Sequence, residues 1–445
     1  MKDDRFSALP DSLITQILLC LPTKDSVRTS ALSTRWRNLW LDVPGLVLHP
    51  TDFPSFCKAP AKNFIDRFLK FNSESRLEKF KFKNNCHIFH IIIDRLKEWV
   101  ATAIDCGIEN LNIEIKNVMY SRYYMPMNIY KSKTLVSLKL AKVELENPEF
   151  VVSLPCLKIM HLEDIFHNLN GLLNTEKLIL GCLVLEDLNL VSSHYDDVRT
   201  PAPLLRVRSH TLKIFRLKCH PGMCENHYGA EIDAPRLKYM SVKDNHSDRI
   251  VVKNLSSLFK IDIDTNFNVN FAHSPLRADD LTKRDIIHDF LTGISTVRHM
   301  IISQHNLKVL YRYSKLEPIP KFHNLSHLQV AFSSSMLQLF PIFLGSCPNL
   351  KKLIVNFSVS KEPDQQIDVN YVPRCLSSTL DCVEINKLIT WEKTGMKLVR
   401  YIVENSVVLM KLNLSFTNPV EDLDIYEELL TAIKRSRRCR VNLFH

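Results

Sequence analysis

One cluster in the 445-residue chain has the residue types of a metal site: Cys219-His220-Pro221-Gly222-Met223-Cys224, followed by His227. Two thiolates and two imidazoles would satisfy the tetrahedral preference of zinc. The spacing argues against it. Cys219 and His220 are neighbours directly after an alternating segment that ends at Leu217, so their side chains leave on opposite faces. His323 and His327 bracket Leu325 without the glutamate that a zinc-hydrolase helix carries, and they read as strand-edge histidines. No metal and no cofactor is expected. The chain has no G-x-S-x-G turn and no cysteine set beside a base, so no catalytic residue is assigned and an enzyme is not expected. Nine glycines in 445 residues compare with roughly 7% in average usage. None fall at the spacing of the two common phosphate-cradling loops, whose close backbone approach to phosphate requires glycine.

The formal charge of +10 is a mild excess over this length, well short of the basic face that nucleic-acid binding requires, so nucleic acid is not an expected partner. The chain starts Met1-Lys2-Asp3-Asp4-Arg5, and the apolar run after it is broken by Thr15 and Gln16, unlike a signal peptide. No stretch approaches the roughly 20 apolar residues that span a bilayer, so no membrane contact is expected. The twelve cysteines follow no disulfide framework. These features predict an intracellular protein, in the cytoplasm, the nucleus or both.

The element that repeats is apolar-x-x-apolar-x-apolar. Leu135-Val136-Ser137-Leu138-Lys139-Leu140, Leu185 to Leu190, Leu350 to Val355 and Leu409 to Leu414 all fit it. The first apolar residue of each match is Leu77, Ile108, Leu135, Leu157, Leu185, Leu212, Leu237, Leu258, Val297, Leu325, Leu350, Leu380 and Leu409. The period-two half is a short strand with one buried face. One unit cannot bury that face alone, whereas stacked units form a parallel sheet over a continuous core. This is a leucine-rich repeat. The fold class is therefore α/β: an irregular solenoid with parallel strands on its concave face and helices or irregular segments outside. The Asn that usually follows the last Leu by three residues is present as Asn85, Asn245 and Asn266. Ser193, Ser333, Ser358 or Thr417 stands there in four more repeats, and six lack a small polar group. The long interval from Leu258 to Val297 predicts a loop over 266–278 and an outer helix over 285–291.

The first 45 residues are different. Apolar residues at 13, 14, 17, 18 and 21 recur at helical spacing, with Asp11 placed to cap the start and Pro22 to close the end. Thr23 or Asp25 opens a second short helix with Val27, Ala31 and Leu32, and Ser33-Thr34 caps a third with Trp36, Leu39 and Trp40. Three helices of this size cannot cover such stripes alone, so a partner must cover the remainder. Leu9-Pro10-Asp11-x-Leu13-Ile14-x-x-Ile17-Leu18, then Leu21-Pro22-Thr23 through Ala31-Leu32-Ser33-x-Arg35-Trp36-Arg37-x-Leu39-Trp40, resembles a plant F-box over residues 5–42. The resemblance implies docking to a Skp-type adaptor, and through it to a cullin and a RING subunit. It assigns Leu9, Pro10, Ile14, Ile17, Leu18, Leu21 and Pro22 to an adaptor-facing ridge. Val27, Ala31, Leu32, Trp36, Leu39 and Trp40 hold the helices together or reach the adaptor.

The C-terminal part resembles the FBD segment of plant F-box proteins. The matching pieces are Pro373-x-Cys375-Leu376, Leu380-x-x-Val383-x-Ile385, a helix ending near Asn405, Leu409 to Leu414, and Arg435-Ser436-x-x-Cys439-x-Val441. Two strand-and-helix units are expected there, continuing the solenoid. The basic run Lys434 to Arg440 reads as a solvated helix end or a nuclear-import patch. The domains expected are 1–48 F-box, 49–370 repeats and 371–445 FBD-like. The resemblance implies a substrate-recognition subunit of an SCF ubiquitin ligase with an unnamed target protein. The alternatives are a small-molecule or hormone co-receptor, for which Arg206 and Arg208 are candidate rim residues, and a repeat scaffold outside any ligase.

Overall fold

A computed structural model describes residues 8–49, 59–71, 77–84, 90–115, 123–165, 169–192, 204–219, 228–244, 247–267, 281–360, 366–368, 371–389, 393–417 and 439–444. The chain divides into two compact units near residue 198.

In the first unit the elements run α1 (Asp11–Leu19), α2 (Thr23–Arg28), β1 (Gly45–Leu48), α3 (Ala59–Phe71), β2 (Lys79–Asn84), α4 (His90–Asp105), β3 (Asn110–Ile115), β4 (Ser137–Ala141), β5 (Ile159–Glu163), α5 (Leu169–Leu180) and β6 (Asp187–Ser192). The six strands are parallel and pair in chain order. Each repeat match becomes a strand because its last two apolar residues share one face. In the third match Leu135, Leu138 and Leu140 are all buried, and the lysines and asparagines between such residues stay on the open face.

In the second unit the order is β7 (Leu204–Arg208), β8 (Ile214–Cys219), β9 (Tyr228–Asp233), β10 (Tyr239–Lys243), β11 (Ser247–Lys253), β12 (Lys260–Asp264), α6 (Leu281–Gly293), β13 (His299–Ile302), α7 (Gln304–Tyr313), β14 (His327–Ser333), α8 (Leu339–Gly345), β15 (Lys352–Ser358), α9 (Arg374–Ser378), β16 (Cys382–Leu388), α10 (Lys393–Asn405), β17 (Lys411–Phe416) and β18 (Arg440–Phe444). One parallel sheet runs β8-β10-β12-β13-β14-β15-β16-β17-β18, and a second, smaller parallel sheet runs β11-β9-β7. That second sheet was not expected. Its strands occupy the outer segments of the repeats starting at Leu185, Leu212 and Leu237, the last being the shortest repeat of the chain, and an extended chain spans about 3.3 Å per residue against about 1.5 Å in a helix. A strand therefore crosses the outer side with fewer residues. Arg206 and Arg208, the candidate rim residues, lie on β7, and Arg208 pairs with Glu231 at 3.1 Å. Lys253 of β11 holds the same carboxylate at 3.3 Å. The hydrogen bonds from Arg208 and Lys253 keep Glu231 below the usual carboxylate range, against a partial opposing effect of burial.

The helix expected over 285–291 is the core of α6, whereas the loop predicted just before it lies largely outside the described residues. The C-terminal segment continues the main sheet with β16, β17 and β18, one strand more than the two units expected. It is locked to the repeats before it by Tyr401 of α10. The Tyr401 hydroxyl donates to the Tyr371 carbonyl at 2.7 Å, and its ring meets Phe340 of α8 edge-on at 6.2 Å.

Among the described residues, two solutions recur at the turns after the strands. Ser358 and Thr417 donate their hydroxyls to the carbonyls of Phe332 and Leu388, each at 3.2 Å, which satisfies backbone one repeat earlier. Where Val143, Ile165 or Leu388 replaces the small polar group, the residue before it takes positive φ: 57° at Lys142, 52° at Asp164 and 63° at Lys387. The left-handed step turns the apolar side chain into the core, where all three are buried. At Lys142 and Asp164 it also aims the amide at the next strand, donating to Glu163 and Val191 at 2.8 Å.

Candidate functional site

The N-terminal segment separates its apolar residues cleanly. Ile14, Leu18, Trp36, Leu39 and Val43 form its buried core, with Leu9, Leu19 and Leu21 packed against it. Leu13 is 50% exposed, Ile17 40% and Leu32 69%, and Pro10 and Ala31 are open to solvent. Pro22, Val27 and Trp40 are half-buried. Of the residues assigned to the outward ridge, Ile14 and Leu18 are thus shut inside, where they support it. Leu13, which the resemblance assigns to no role, and Leu32, which it assigns either to holding the helices or to reaching the adaptor, are the most exposed apolar residues of the segment. Their signal was present in the sequence, since Leu13 stands one helical turn before Ile17.

Three contacts hold the segment in shape. The Ser26 hydroxyl donates to the Leu18 carbonyl at 3.0 Å, clamping α2 onto α1. Arg35 reaches back to Asp11 at 2.6 Å and also donates to the Leu9 carbonyl. Asp11 was expected to cap α1. It is instead the first helical residue, with Pro10 at the cap position, and its carboxylate serves Arg35. The third helix is not α-helical: the chain makes turns after Ser33 and a 3₁₀ turn over Leu39–Asp42. Trp40 stacks on Phe64 of α3 with ring centroids 6.3 Å apart. The Thr23 hydroxyl accepts from the Val47 amide of β1 at 2.8 Å. The helical segment is therefore bound directly to the edge of the first sheet.

Among the described residues no group of three metal-ligating side chains comes together, and no helix is long and apolar enough to cross a membrane. Cys219 ends β8, and His220, Cys224 and His227 lie outside the described residues. His327 stands on the open face of β14, its ring 4.2 Å from that of His299 on β13, which in turn lies 4.5 Å from Phe259. Burial lowers the His299 pKa, with the neighbouring His327 and Lys260 acting in the same direction. His323 precedes the strand, and its carbonyl accepts from the Asn349 side chain at 2.8 Å.

A helical block with exposed apolar residues, joined to stacked Leu-rich strands, is matched by known families along the chain. An F-box domain model matches residues 6–47, a model of the LRR repeats of FBD-associated F-box protein At5g56370 matches residues 96–258, and an FBD model matches residues 368–414. F-box/FBD/LRR-repeat protein At2g26030 of Arabidopsis thaliana is 53% identical over 449 residues, covering 100% of both chains. F-box/FBD/LRR-repeat protein At5g44980 of the same plant is 50% identical over 447 residues, covering 99% of both. The chain belongs to the plant F-box/FBD/LRR-repeat family. An F-box joined to leucine-rich repeats marks a substrate-adaptor type of protein, and F-box/LRR proteins are typically non-catalytic. In F-box terms, the buried set from Ile14 to Val43 is the domain's own core, and Leu13, Ile17 and Leu32 remain exposed on it.

Proposed function

We propose that the protein is the substrate-recognition subunit of an SCF-type ubiquitin ligase. The observation that carries this reading is the exposure of Leu13, Ile17 and Leu32 on an F-box whose core is already complete without them. Full burial of a Leu or Ile side chain contributes about 1.5–3 kcal/mol. Covering three half-exposed ones therefore supplies about 3 kcal/mol of association, enough to make the patch matter to a Skp-type adaptor. In this reading Leu9, Pro10, Leu21, Pro22 and Val27 add to the docking surface, while Ile14, Leu18, Trp36 and Leu39 hold the helices that present it and Trp40 anchors them on Phe64. The adaptor connects to a cullin and a RING subunit, which carry out ubiquitin transfer, and the repeats hold the target protein. This reading places the protein in the cytoplasm or nucleus, where those subunits act.

The test is co-purification of the full chain with a Skp-type adaptor. The wild type is expected to form a stable complex, and Ile17→Asp/Leu32→Asp is expected to lose it while keeping the wild-type circular dichroism spectrum. A folded wild type that captures no adaptor overturns the reading.

A further inference from the structure

Where the end of α1 meets the open face of β2, β3 and β4, the first unit holds a cavity of about 370 Å³. Leu19 forms an apolar wall, and Lys79, Lys81, Asn112, Ser137 and Lys139 line the strand side. Register explains why the lysines converge. Lys79 and Lys81 alternate on one face of β2, and Lys81 stands opposite Asn112 of β3, which stands opposite Lys139 of β4. Alternate residues on a strand lie about 7 Å apart, and positions two strands away about 10 Å apart. The three ammonium stems thus start from a triangle of those dimensions.

Among the described residues their charge is not neutralised. Lys83, the third lysine of this face of β2, pairs with Glu114. No carboxylate lies within ion-pair distance of Lys79, Lys81 or Lys139 among the described residues, and Glu78 is the one acidic residue of the lining. Burial, reinforced by Lys83, Lys79 and Lys139, holds the Lys81 amine below its ordinary value, with Glu114 opposing. A bound anion would relieve that repulsion.

We infer that this cavity binds an acidic, extended segment of the target protein, with carboxylates at alternate residues. An extended chain repeats its side chains on one face every two residues, the same spacing as Lys79 and Lys81. Two carboxylates meet those two lysines, and a third contacts Lys139. The amide of Asn112 and the hydroxyl of Ser137 face the segment's backbone, and the intervening aliphatic side chain lies against Leu19. The inference deepens the adaptor reading and rests on it for the occupant being a target protein.

The test uses the full chain and a fluorescein-labelled Glu-Val-Glu-Val-Glu peptide, followed by anisotropy at low and high salt. The peptide is expected to bind at low salt and weaken steeply as salt rises, and its Gln-Val-Gln-Val-Gln counterpart is expected not to bind. Lys81→Gln/Lys139→Gln is expected to weaken binding at least tenfold, and Lys351→Gln, an exposed lysine of the second unit, to leave it unchanged. Equal binding by the double variant overturns the inference, as does a wild type that binds neither peptide. So does tripolyphosphate binding through these lysines while the Glu peptide does not, which would make the cavity a small-polyanion site. Adaptor co-purification of the same preparations keeps the two readings apart. Adaptor capture without peptide binding sinks this inference alone, whereas a wild type that captures no adaptor sinks the ligase reading.

Discussion

Ile14 and Ile17 stand on the same helix, one turn apart, and do opposite work. Ile14 is fully buried among Leu18, Trp36, Leu39 and Val43, whereas Ile17 points outward. Truncating a buried Ile to Ala removes transfer energy and leaves a cavity, costing about 2–5 kcal/mol. Ile14→Ala is therefore expected to lower the melting temperature strongly and to weaken adaptor capture only through loss of folded F-box. Ile17→Ala is expected to change stability by less than about 0.5 kcal/mol, yet to reduce adaptor capture at constant fold. Thermal melts paired with pull-downs on both variants separate the two roles. Equal stability losses would mean that Ile17 is part of the core.

At the scale of the element, the turns after the strands carry the repeat. Lys142, Asp164 and Lys387 hold positive φ so that Val143, Ile165 and Leu388 can face inward. A left-handed residue costs about 1–2 kcal/mol for most side chains, least for Gly, Asn and Asp, and is hardest for β-branched ones. Lys387→Val is expected to destabilise the second unit by about 1–2 kcal/mol, and Lys387→Asn to be neutral or slightly stabilising. Chemical denaturation of the two variants checks the order. A Val variant as stable as the Asn variant would remove the strained turn from the account. The same turns show why the missing asparagines were not a defect: half of the six repeats lacking a small polar group use this backbone step instead.

For the whole molecule, each repeat within a unit touches its sequence neighbours, so the stability of each unit is the sum of its repeats and their interfaces. The cysteines report on this separately in the two units. Cys20 and Cys156 are exposed, whereas burial pushes the Cys182 thiol up to about 12 and raises that of fully buried Cys347 further. Iodoacetamide at mild alkaline pH is expected to label Cys20 and Cys156 in the native protein, and Cys182 and Cys347 only as denaturant opens the first and second units. Leu412→Ala, at a fully buried position of β17, is expected to lower the midpoint for Cys347 labelling more than that for Cys182. Equal shifts would show that the chain unfolds as one cooperative body.

The sequence by itself determined the repeat. All thirteen apolar-x-x-apolar-x-apolar matches, from Leu77 to Leu409, precede or enter a parallel strand of a main sheet, because a period of two can bury one face only as a strand. It also determined the F-box, whose pattern from Leu9 to Trp40 is dense and specific. It did not show which apolar residues of that F-box face outward. Positions 13, 14, 17 and 18 make one broad stripe, and only the packing of Trp36, Leu39 and Val43 decides which part of it is covered. Strands β1 and β18 escaped notice because they extend the sheet without the full repeat pattern. The β11-β9-β7 sheet escaped because a short connection is not visibly a strand until its neighbours offer hydrogen bonds. The lysine cavity is the clearest case. Lys79, Lys81 and Lys139 are ordinary strand lysines in the sequence, sixty residues apart at the extremes, and only the parallel register of three strands brings them together against Leu19.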